Sequence, residues 1–313
     1  MKGKIVLLTG GSGLVGQILQ VGLRKRGYRV RVFDQFKGAG VNLLRRRYLG
    51  TSRGPLGQAA AHRIGKIQRA ISRKFLGGPF LRPSQDNILD LRSRLVEKFK
   101  GCYGVVHLAG IPHPFQPETI DADFLRINYD GSVNVFEASK KAGVRKFIFA
   151  SSGQVYGINN PARIDQFPIL ESNYCPTLAE GQSMYGYLKL KFEQYLAGAC
   201  VPRKKLQGIA LRLECPGFRS TLPNNFYVST SIENLVSGVV CALENSADFA
   251  FESFNLVDGH FDESLAEEVA SFIQRKWAAV PNYLQGNESL LSVAKAGKLL
   301  GYDPIRKGSY FLD

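Results

Sequence analysis

Apolar runs of strand length alternate with stretches of helical spacing along most of the chain. Residues 5–8 form one apolar run, residues 14–26 repeat apolar positions at helical spacing up to Gly27, and residues 28–34 form a second β-like run. Strand, helix and strand in this order are typical of a parallel sheet with right-handed crossover connections. The N-terminal part therefore predicts a βαβ unit.

The same rhythm returns near residue 87. Residues 103–110 predict a buried strand, 121–142 a long helix, 144–150 another strand, and 232–244 a further helix. We therefore expect an α/β fold built on a doubly wound parallel sheet.

Residues 36–85 interrupt this rhythm. Residues 37–85 contain eleven Lys and Arg and no Asp or Glu, so most of the formal net charge of +15 is local to this insertion. Apolar residues recur at helical spacing between positions 64 and 75, with basic residues between them, which predicts a basic amphipathic helix.

Two interpretations of this basic segment stay open. It docks on an anionic membrane surface or an acidic protein partner, or it packs its apolar stripe on the core or a sister subunit and leaves its charges in solvent. We favour the second, because surface helices with one apolar stripe are common. We do not expect nucleic acid, since the segment has few aromatic residues to stack on bases.

Composition adds bounds on the class of protein. The 313 residues, 44% of them hydrophobic, are enough for a large core, and a pI near 9.6 indicates attraction to an acidic partner or surface. Five cysteines without a C-x-x-C pair predict reduced thiols and no zinc site. No apolar run approaches the roughly 18 residues that cross a bilayer, so we expect a cytoplasmic protein.

The first predicted strand breaks into a glycine-rich turn. Gly10, Gly13 and Gly16 have the G-x-x-G-x-x-G spacing, which lets the backbone turn sharply and approach a pyrophosphate. Asp34 ends the second strand, where an acid accepts hydrogen bonds from an adenosine ribose. A turn that binds nothing is the alternative, but the acid favours a dinucleotide.

A predicted helix after Ser183 carries Tyr185 and Lys189 one turn apart on one face. A lysine ammonium beside a phenol favours the phenolate, so such a tyrosine exchanges protons near neutral pH. That is the chemistry a hydride-transfer enzyme needs at a hydroxyl or carbonyl carbon. Tyr187 and Lys191 form a second pair with the same spacing, so spacing alone does not choose between the pairs.

At this point the chain resembles the extended short-chain dehydrogenase/reductase family, which includes the NAD-dependent sugar epimerases and dehydratases. The motifs that carry the resemblance are T-G-G-S-G-L-V-G at 9–16, Asp34, Asp90 with Leu91, H-L-A-G at 107–110, Asn128, F-A-S-S-G-Q-V-Y-G at 149–157, Y-G-Y-L-K at 185–189 with Glu193, L-R at 211–212, F-N-L at 254–256 and L-G-Y-D-P at 300–304. Their number and order make the resemblance specific over nearly the whole chain outside the insertion.

The resemblance implies a Rossmann-type sheet with a small C-terminal substrate lobe. We assign residues 1–205 to the NAD-binding domain, with the insertion 36–85 inside it. Residues 206–313 supply the last sheet strands and the substrate-binding lobe. Family members often dimerise through the helices that include the Tyr/Lys helix, so a homodimer is expected.

The resemblance also implies which residues hold the cofactor. The three glycines cradle the pyrophosphate, Asp34 binds the adenosine ribose, and Asp90 with Leu91 contacts the adenine. The remaining positions implied for the cofactor are Leu14, Val15, Leu108, Ala109, Gly110, Asn128, Ala150, Tyr185 and Lys189. Asp34 favours NAD over NADP because a carboxylate repels a 2′-phosphate, although cations of the insertion, if they fold back over the adenosine end, would offset the repulsion.

The same resemblance implies the catalytic set. Ser152 hydrogen-bonds the reacting oxygen, Tyr185 is the acid/base, and Lys189 holds the nicotinamide ribose and lowers the tyrosine pKa. His107 ends a strand and is expected to be structural.

The segment after Arg212 sets an expectation for the substrate. It is short, and only 128 residues follow Tyr185, which leaves little material for a nucleotide pocket and points to a smaller substrate. The run at 223–230 is similar to the uronate dehydrogenase branch, but Tyr227 stands where that branch has an arginine for the substrate carboxylate, and Arg219 is a substitute candidate. We assign substrate binding to Ser152, Gly153, Gln154, Asn224, Asn225 and Ser229.

Three hypotheses follow. The first is an NAD-dependent oxidoreductase acting on a small sugar, sugar acid or related hydroxyl or carbonyl compound. The second is a nucleotide-sugar epimerase or dehydratase with tightly bound NAD; dehydration is disfavoured because Gly153 and Gln154 stand where a dehydratase has acids. The third is a non-catalytic dinucleotide-binding regulator, which the complete set of Ser152, Tyr185 and Lys189 disfavours.

Overall fold

The fold is described by a computed structural model. It covers residues 3–37, 82–83, 86–90, 92–112, 121–157, 163–201, 206–220, 226–305 and 311, with backbone only at 36–37, 82–83 and Ser93. Leu91, Asn224, Asn225 and the interior of the basic insertion lie outside these residues, so the predictions made for them stay predictions.

Six parallel strands form the central sheet. They are β1 (Ile5–Thr9), β2 (Arg29–Phe33), β5 (Gly104–His107), β6 (Lys146–Ser152), β7 (Gln207–Leu213) and β8 (Phe251–Asn255), in the order β2-β1-β5-β6-β7-β8. The order runs outward from β1 in both directions, which is the doubly wound topology. The structure thus confirms the predicted Rossmann-type fold class.

Helices lie between the strands and after the last one. In the described part of the chain they are α1 (Leu14–Lys25), α2 (Arg92–Phe99), α3 (Asp121–Phe124), α4 (Gly131–Lys141), α5 (Met184–Ala199), α6 (Ile232–Glu244), α7 (Ala266–Trp277) and α8 (Ala294–Leu300). The long helix expected at 121–142 is present, but a π-helical turn, Leu125–Asp130, separates α3 from α4. In the described part of the chain, no helix has both the length and the apolar character that a membrane crossing requires.

Both faces of the sheet are buried. Val6 and Leu8 of β1 pack in one apolar cluster, which includes residues of α1, α6 and α8. Leu7 points the other way into a second cluster, with residues of α2, α4 and α5. Alternate residues of a strand face opposite sides of a sheet, so near-continuous apolar runs fit strands covered by helices on both faces.

A third apolar cluster forms the lobe beside the carboxyl edge of the sheet. Phe167, Phe226 and Trp277 pack together there, and bridges tie Phe167 to Asn282 and Ile169 to Leu291. This lobe takes chain from before β7 as well as after β8. The lobe is therefore not formed by C-terminal residues alone.

The two ends of the basic insertion lie side by side. β3 (Phe36–Lys37) pairs antiparallel with β4 (Arg82–Pro83), with Lys37 opposite Arg82. The insertion therefore begins and ends at the same place, just after β2.

Candidate active site

The predicted site residues that the structure describes gather mainly at the carboxyl ends of the strands. β1 and β5 are neighbours there, and the chain winds outward on either side of them. In open α/β sheets, ligands bind at such a switch point, outside the carboxyl ends of the strands.

The glycine turn follows β1 and brings the chain against the end of β5. Gly10 has φ of 66°, and a Cβ added to it would lie 2.7 Å from the backbone nitrogen of Ala109. Gly13 begins α1 without a side-chain cap, so the first turn of α1 offers backbone N–H groups to an anion. The cradle fits the pyrophosphate of a dinucleotide.

Asp34 lies beside this turn. Its Oδ2 accepts a hydrogen bond of 2.9 Å from the backbone N–H of Ser12. The bond ties the carboxylate, directly after β2, to the glycine turn after β1. A carboxylate in this position suits an adenosine ribose.

His107 ends β5 and is fully buried. Its Nδ1 lies 2.6 Å from Thr9 Oγ1, and its Nε2 lies 2.8 Å from Ser132 Oγ. Burial, with a smaller contribution from Lys189, lowers the pKa of His107 to about 3, so the ring is neutral at neutral pH. The ring joins β1, β5 and α4, which agrees with the structural role expected for it.

Asn128 occupies the π-helical turn and is buried. Its Oδ1 accepts a 2.6 Å bond from the Ile111 N–H, and its Nδ2 donates to the Ile111 carbonyl at 3.0 Å. A Cβ at Gly110 would lie 3.0 Å from the same Oδ1. Asn128, predicted to bind the cofactor, thus holds the loop of Leu108 to Ile111 that lines the cleft. Asp90, predicted to contact the adenine, lies earlier in the chain, and its Oδ2 is 3.7 Å from Arg94 Nη1.

α5 brings Lys189 to the end of β6. Ser183 begins this helix and accepts a hydrogen bond from the Gly186 N–H. Lys189 Nζ donates to the Ala150 carbonyl at 2.6 Å and lies 5.4 Å from the centre of the Tyr185 ring. Burial lowers the pKa of Lys189 to about 8.

The second tyrosine–lysine pair on α5 points elsewhere. Lys191 Nζ lies 4.6 Å from the ring centre of Tyr129, in the π-helical turn, and 5.9 Å from that of Tyr187. Lys189 Nζ donates to the sheet at the Ala150 carbonyl, whereas Lys191 Nζ lies over the Tyr129 ring, away from the end of β6. The sequence spacing is the same for both pairs, so this structural difference is what supports Tyr185 and Lys189 as the reactive pair.

A buried ion pair anchors α5 to the sheet. Arg212 Nη2 of β7 lies 2.7 Å from Glu193 Oε2 of α5, and both side chains are about 5% exposed or less. Ser151 Oγ also donates to Glu193, and Arg212 donates to the Tyr156 hydroxyl. The helix that carries Tyr185 is therefore fixed against β6 and β7.

Ser152 ends β6, where it meets an acid that the sequence analysis missed. Glu214 directly follows β7, is 4% exposed, and its Oε1 lies 3.3 Å from Ser152 Oγ. Burial raises the pKa of Glu214 to about 8. The sequence carries one signal for Glu214, which is an acid directly after an apolar strand. Because β6 and β7 end side by side, such an acid lies at the same edge as Ser152.

Several polar residues of the lobe bond to other residues of the lobe. Ser229 Oγ accepts a 2.7 Å bond from the Ser220 N–H, and Arg219 pairs with Asp262 at 2.7 Å. Tyr227 is buried and its hydroxyl donates to Glu268. Ser229 therefore braces its own loop, and Arg219 already has a carboxylate partner.

The sequence is similar to those of known proteins over about two thirds of its length. Residues 6–216 match the model of the NAD dependent epimerase/dehydratase family. The UDP-glucose 4-epimerase uge1 of Schizosaccharomyces pombe is 31% identical over 215 residues, which are 68% of this chain and 51% of that protein. The human UDP-glucose 4-epimerase is 28% identical over 209 residues, 66% of this chain and 52% of that protein. The chain spans about half the length of the curated relatives it matches.

Solved structures share the fold. The UDP-glucose-4-epimerase of Stenotrophomonas maltophila, with bound NAD and formylated UDP-arabinopyranose, has a TM-score of 0.63 at 20% identity, covering 97% of this chain and 94% of that one. MoeE5 in complex with UDP-glucuronic acid and NAD has a TM-score of 0.59 at 21% identity, with the same coverage. At these identities the likeness shows the architecture of the chain.

Proposed function

We propose, from the premise that this chain belongs to the NAD-dependent epimerase/dehydratase family, that it is an NAD-dependent epimerase of a sugar nucleotide. The observation that carries the proposal is the placement of Lys189 against the end of β6, one helical turn from Tyr185. The identity to UDP-glucose 4-epimerases favours this hypothesis over the net dehydrogenase that the sequence analysis put first.

NAD is the cofactor of this family, and the described residues fit it. Gly10, Gly13 and Gly16, with Leu14 and Val15, would hold the pyrophosphate at the start of α1. Asp34 would hold the adenosine ribose, and Lys189 the nicotinamide ribose. When bound, NAD supplies the acceptor and the donor of hydride.

The residues of the chain move the proton. The Tyr185 oxygen takes the proton of the reacting sugar hydroxyl as its carbon becomes a carbonyl, and it returns that proton when the carbonyl is reduced. Ser152 donates a hydrogen bond to the same oxygen, where negative charge develops. Lys189 places a cation next to the phenol and favours its ionised form.

Epimerisation needs no external oxidant or reductant. The carbon that loses hydride regains it on the opposite face, so the reaction is redox-neutral over one turnover. Tyr185 is then in its starting state after each cycle.

A net dehydrogenase of a small sugar is the second candidate. The observation that favours it is the short connection of 18 residues between Leu213 and Ile232, part of which packs into the lobe core through Phe226 and Tyr227. A short connection leaves less chain to bind the nucleotide half of a substrate.

One assay separates the two candidates. The purified protein is incubated with UDP-glucose and, separately, with free sugars and sugar acids plus NAD, while NMR follows the sugar and absorbance follows NADH. Formation of the C4 epimer without NADH accumulation supports the epimerase. Stoichiometric NADH with a free sugar or sugar acid and no epimer would replace it with the dehydrogenase.

A further inference from the structure

Glu214 stands where the chain turns sharply at the edge of the candidate site. Leu213 pairs with Ser152 in the sheet register, so Glu214 is the next residue beyond that pair. Cys215 follows with φ of 39°, which is a strained conformation for a residue with a side chain. A strained turn directly after a buried acid indicates a constraint beyond packing.

The Glu214 carboxyl is held by the turn that begins at Ser152. It accepts hydrogen bonds from the Ser152 hydroxyl, from the side chain of Gln154, and from the backbone N–H groups of Gly153 and Gln154. A Cβ at Gly153 would lie 2.7 Å from Glu214 Oε1, so glycine is what lets the carboxyl approach. On the other side, the Glu214 N–H donates to Thr230 Oγ1 at 3.3 Å.

We propose that Glu214 is a positioning residue for the reaction, and that the proton on its carboxyl decides whether the Ser152 hydroxyl donates to the reacting oxygen of the substrate. This inference rests on the role of Ser152 in the proposed function. It adds a residue that acts through Ser152 and does not itself contact the reacting atoms.

The physical reason is competition for one proton. An ionised Glu214 accepts a hydrogen bond from Ser152 Oγ, which lies 3.3 Å away, and then Ser152 offers only lone pairs to a substrate. A protonated Glu214 donates its own proton to Ser152 Oγ, which frees the serine proton for the substrate oxygen. Since negative charge develops on that oxygen, the protonated form of Glu214 is the active one.

The environment keeps this acid protonated at neutral pH. Burial is the largest cause of its raised pKa, and the four hydrogen bonds that favour the ionised form do not offset it. Charged and titratable groups on the described elements around this edge of the sheet include Tyr156, Tyr185, Lys189, Glu193, Arg212 and Asp258, and Cys215 is the next residue in the chain. Arg212 and Glu193 neutralise each other, and Lys189 has its own lowered pKa.

The test is the pH dependence of kcat/KM for the wild type and Glu214→Gln. Glutamine keeps the shape and the hydrogen bonds of a protonated acid but does not titrate. In the wild type, kcat/KM should fall roughly tenfold per pH unit above the pKa of Glu214, and Glu214→Gln should lose this fall. Asp258→Asn is the matched control, because it removes another buried acid and should keep the fall.

Persistence of the high-pH fall in Glu214→Gln would overturn the proposal and assign the fall to Lys189. A second measurement does not depend on turnover. Infrared difference spectra of the NAD-bound protein should show a protonated-carboxyl band at neutral pH that is absent in Glu214→Gln and shifted in Ser152→Ala. If the wild type converts neither sugar nucleotides nor free sugars, the proposed function fails. The infrared band then decides alone whether Glu214 and Ser152 are coupled. A band that Ser152→Ala leaves unchanged overturns the inference.

Discussion

Tyr185 and Tyr187 differ by two residues on one helix, yet only Tyr185 has a lysine that contacts the sheet. Replacing Tyr185 with phenylalanine removes the proton-carrying oxygen and keeps the ring. We expect turnover to fall by roughly 10²–10⁴-fold, the usual contribution of a general acid/base, with NAD affinity nearly unchanged. Steady-state kinetics and calorimetric NAD titration check both statements.

Tyr187→Phe is the matched control, because it removes the equivalent oxygen of the second pair. We expect it to turn over like the wild type. A large loss in Tyr187→Phe with none in Tyr185→Phe would exchange the two assignments.

Glu214 also makes folding stability depend on pH. Its pKa is raised in the folded state from an ordinary value of 4.5 to about 8. Its contribution is therefore fully present below about pH 4.5 and is lost as pH rises through about 8. Because each pKa unit corresponds to 1.36 kcal/mol, the loss between these two pH values is on the order of 5 kcal/mol.

We expect Glu214→Gln to remove this loss. Urea unfolding at about pH 6 and about pH 9 should show the wild type losing free energy of unfolding relative to Glu214→Gln. Parallel changes in the two proteins would show that the pKa of Glu214 is not raised in the folded state.

At the scale of the residue, sequence motifs identified candidate site residues, but contacts between distant parts of the chain could not be identified from the sequence. The glycine spacing, Asp34 and the Tyr185–Lys189 pair could be selected from sequence, because their chemistry depends on local spacing. Glu214 was not selected, because its one sequence signal is its position directly after an apolar strand. Its contact with Ser152 depends on β6 and β7 ending side by side, and it joins residues 62 positions apart.

At the scale of the element, most helices and strands follow from periodicity, but their irregularities do not. The helix expected at 232–244 is confirmed by α6. The π-helical turn before α4 was not predicted, because the pattern of apolar positions runs through it without a break. Its consequence is the position of Asn128, which reaches Ile111 from that turn.

The β3–β4 pair allows the basic insertion to be removed cleanly. Lys37 and Arg82 are opposite each other in an antiparallel pair, so an Asn-Gly turn in place of residues 38–81 should close a hairpin. The formal net charge then falls from +15 to +6. We expect the shortened protein to fold and to bind NAD, as circular dichroism and NAD titration would report.

A second variant keeps the segment 38–81 but has its nine basic residues changed to glutamine. Comparison with the shortened protein separates the effect of the charge of this segment from the effect of its size. Loss of binding to anionic vesicles or acidic proteins in both variants would assign docking to the cations. Unfolding of the shortened protein alone would show that the segment belongs to the core or to a subunit interface.

At the scale of the whole molecule, the sheet order follows from the alternation of strands and helices together with the handedness of crossovers. The lobe is harder to predict, because it joins residues before β7 to residues after β8 through isolated bridges. Such contacts carry no periodic pattern. The division at residue 205 stays a prediction.

The homodimer expected from the family is also testable at this scale. If the helices around α5 form the interface, sedimentation should give about twice the 34.6 kDa chain mass. An exposed residue of α5, such as Gln194, changed to arginine should then shift the protein toward the monomer. A monomeric wild type would contradict the expectation and leave the Tyr185 assignment untouched.

The paired ends of the insertion also act as a tether. Phe36 lies two residues beyond Asp34, so the chain attaches the nine basic residues of 38–81 next to the position predicted to bind the adenosine ribose. A tether converts an encounter between separate molecules into one at high effective concentration. We therefore expect an anionic group bound beside Asp34, whether on the cofactor or on a docking partner, to be attracted by these cations, and we expect added salt to weaken the attraction.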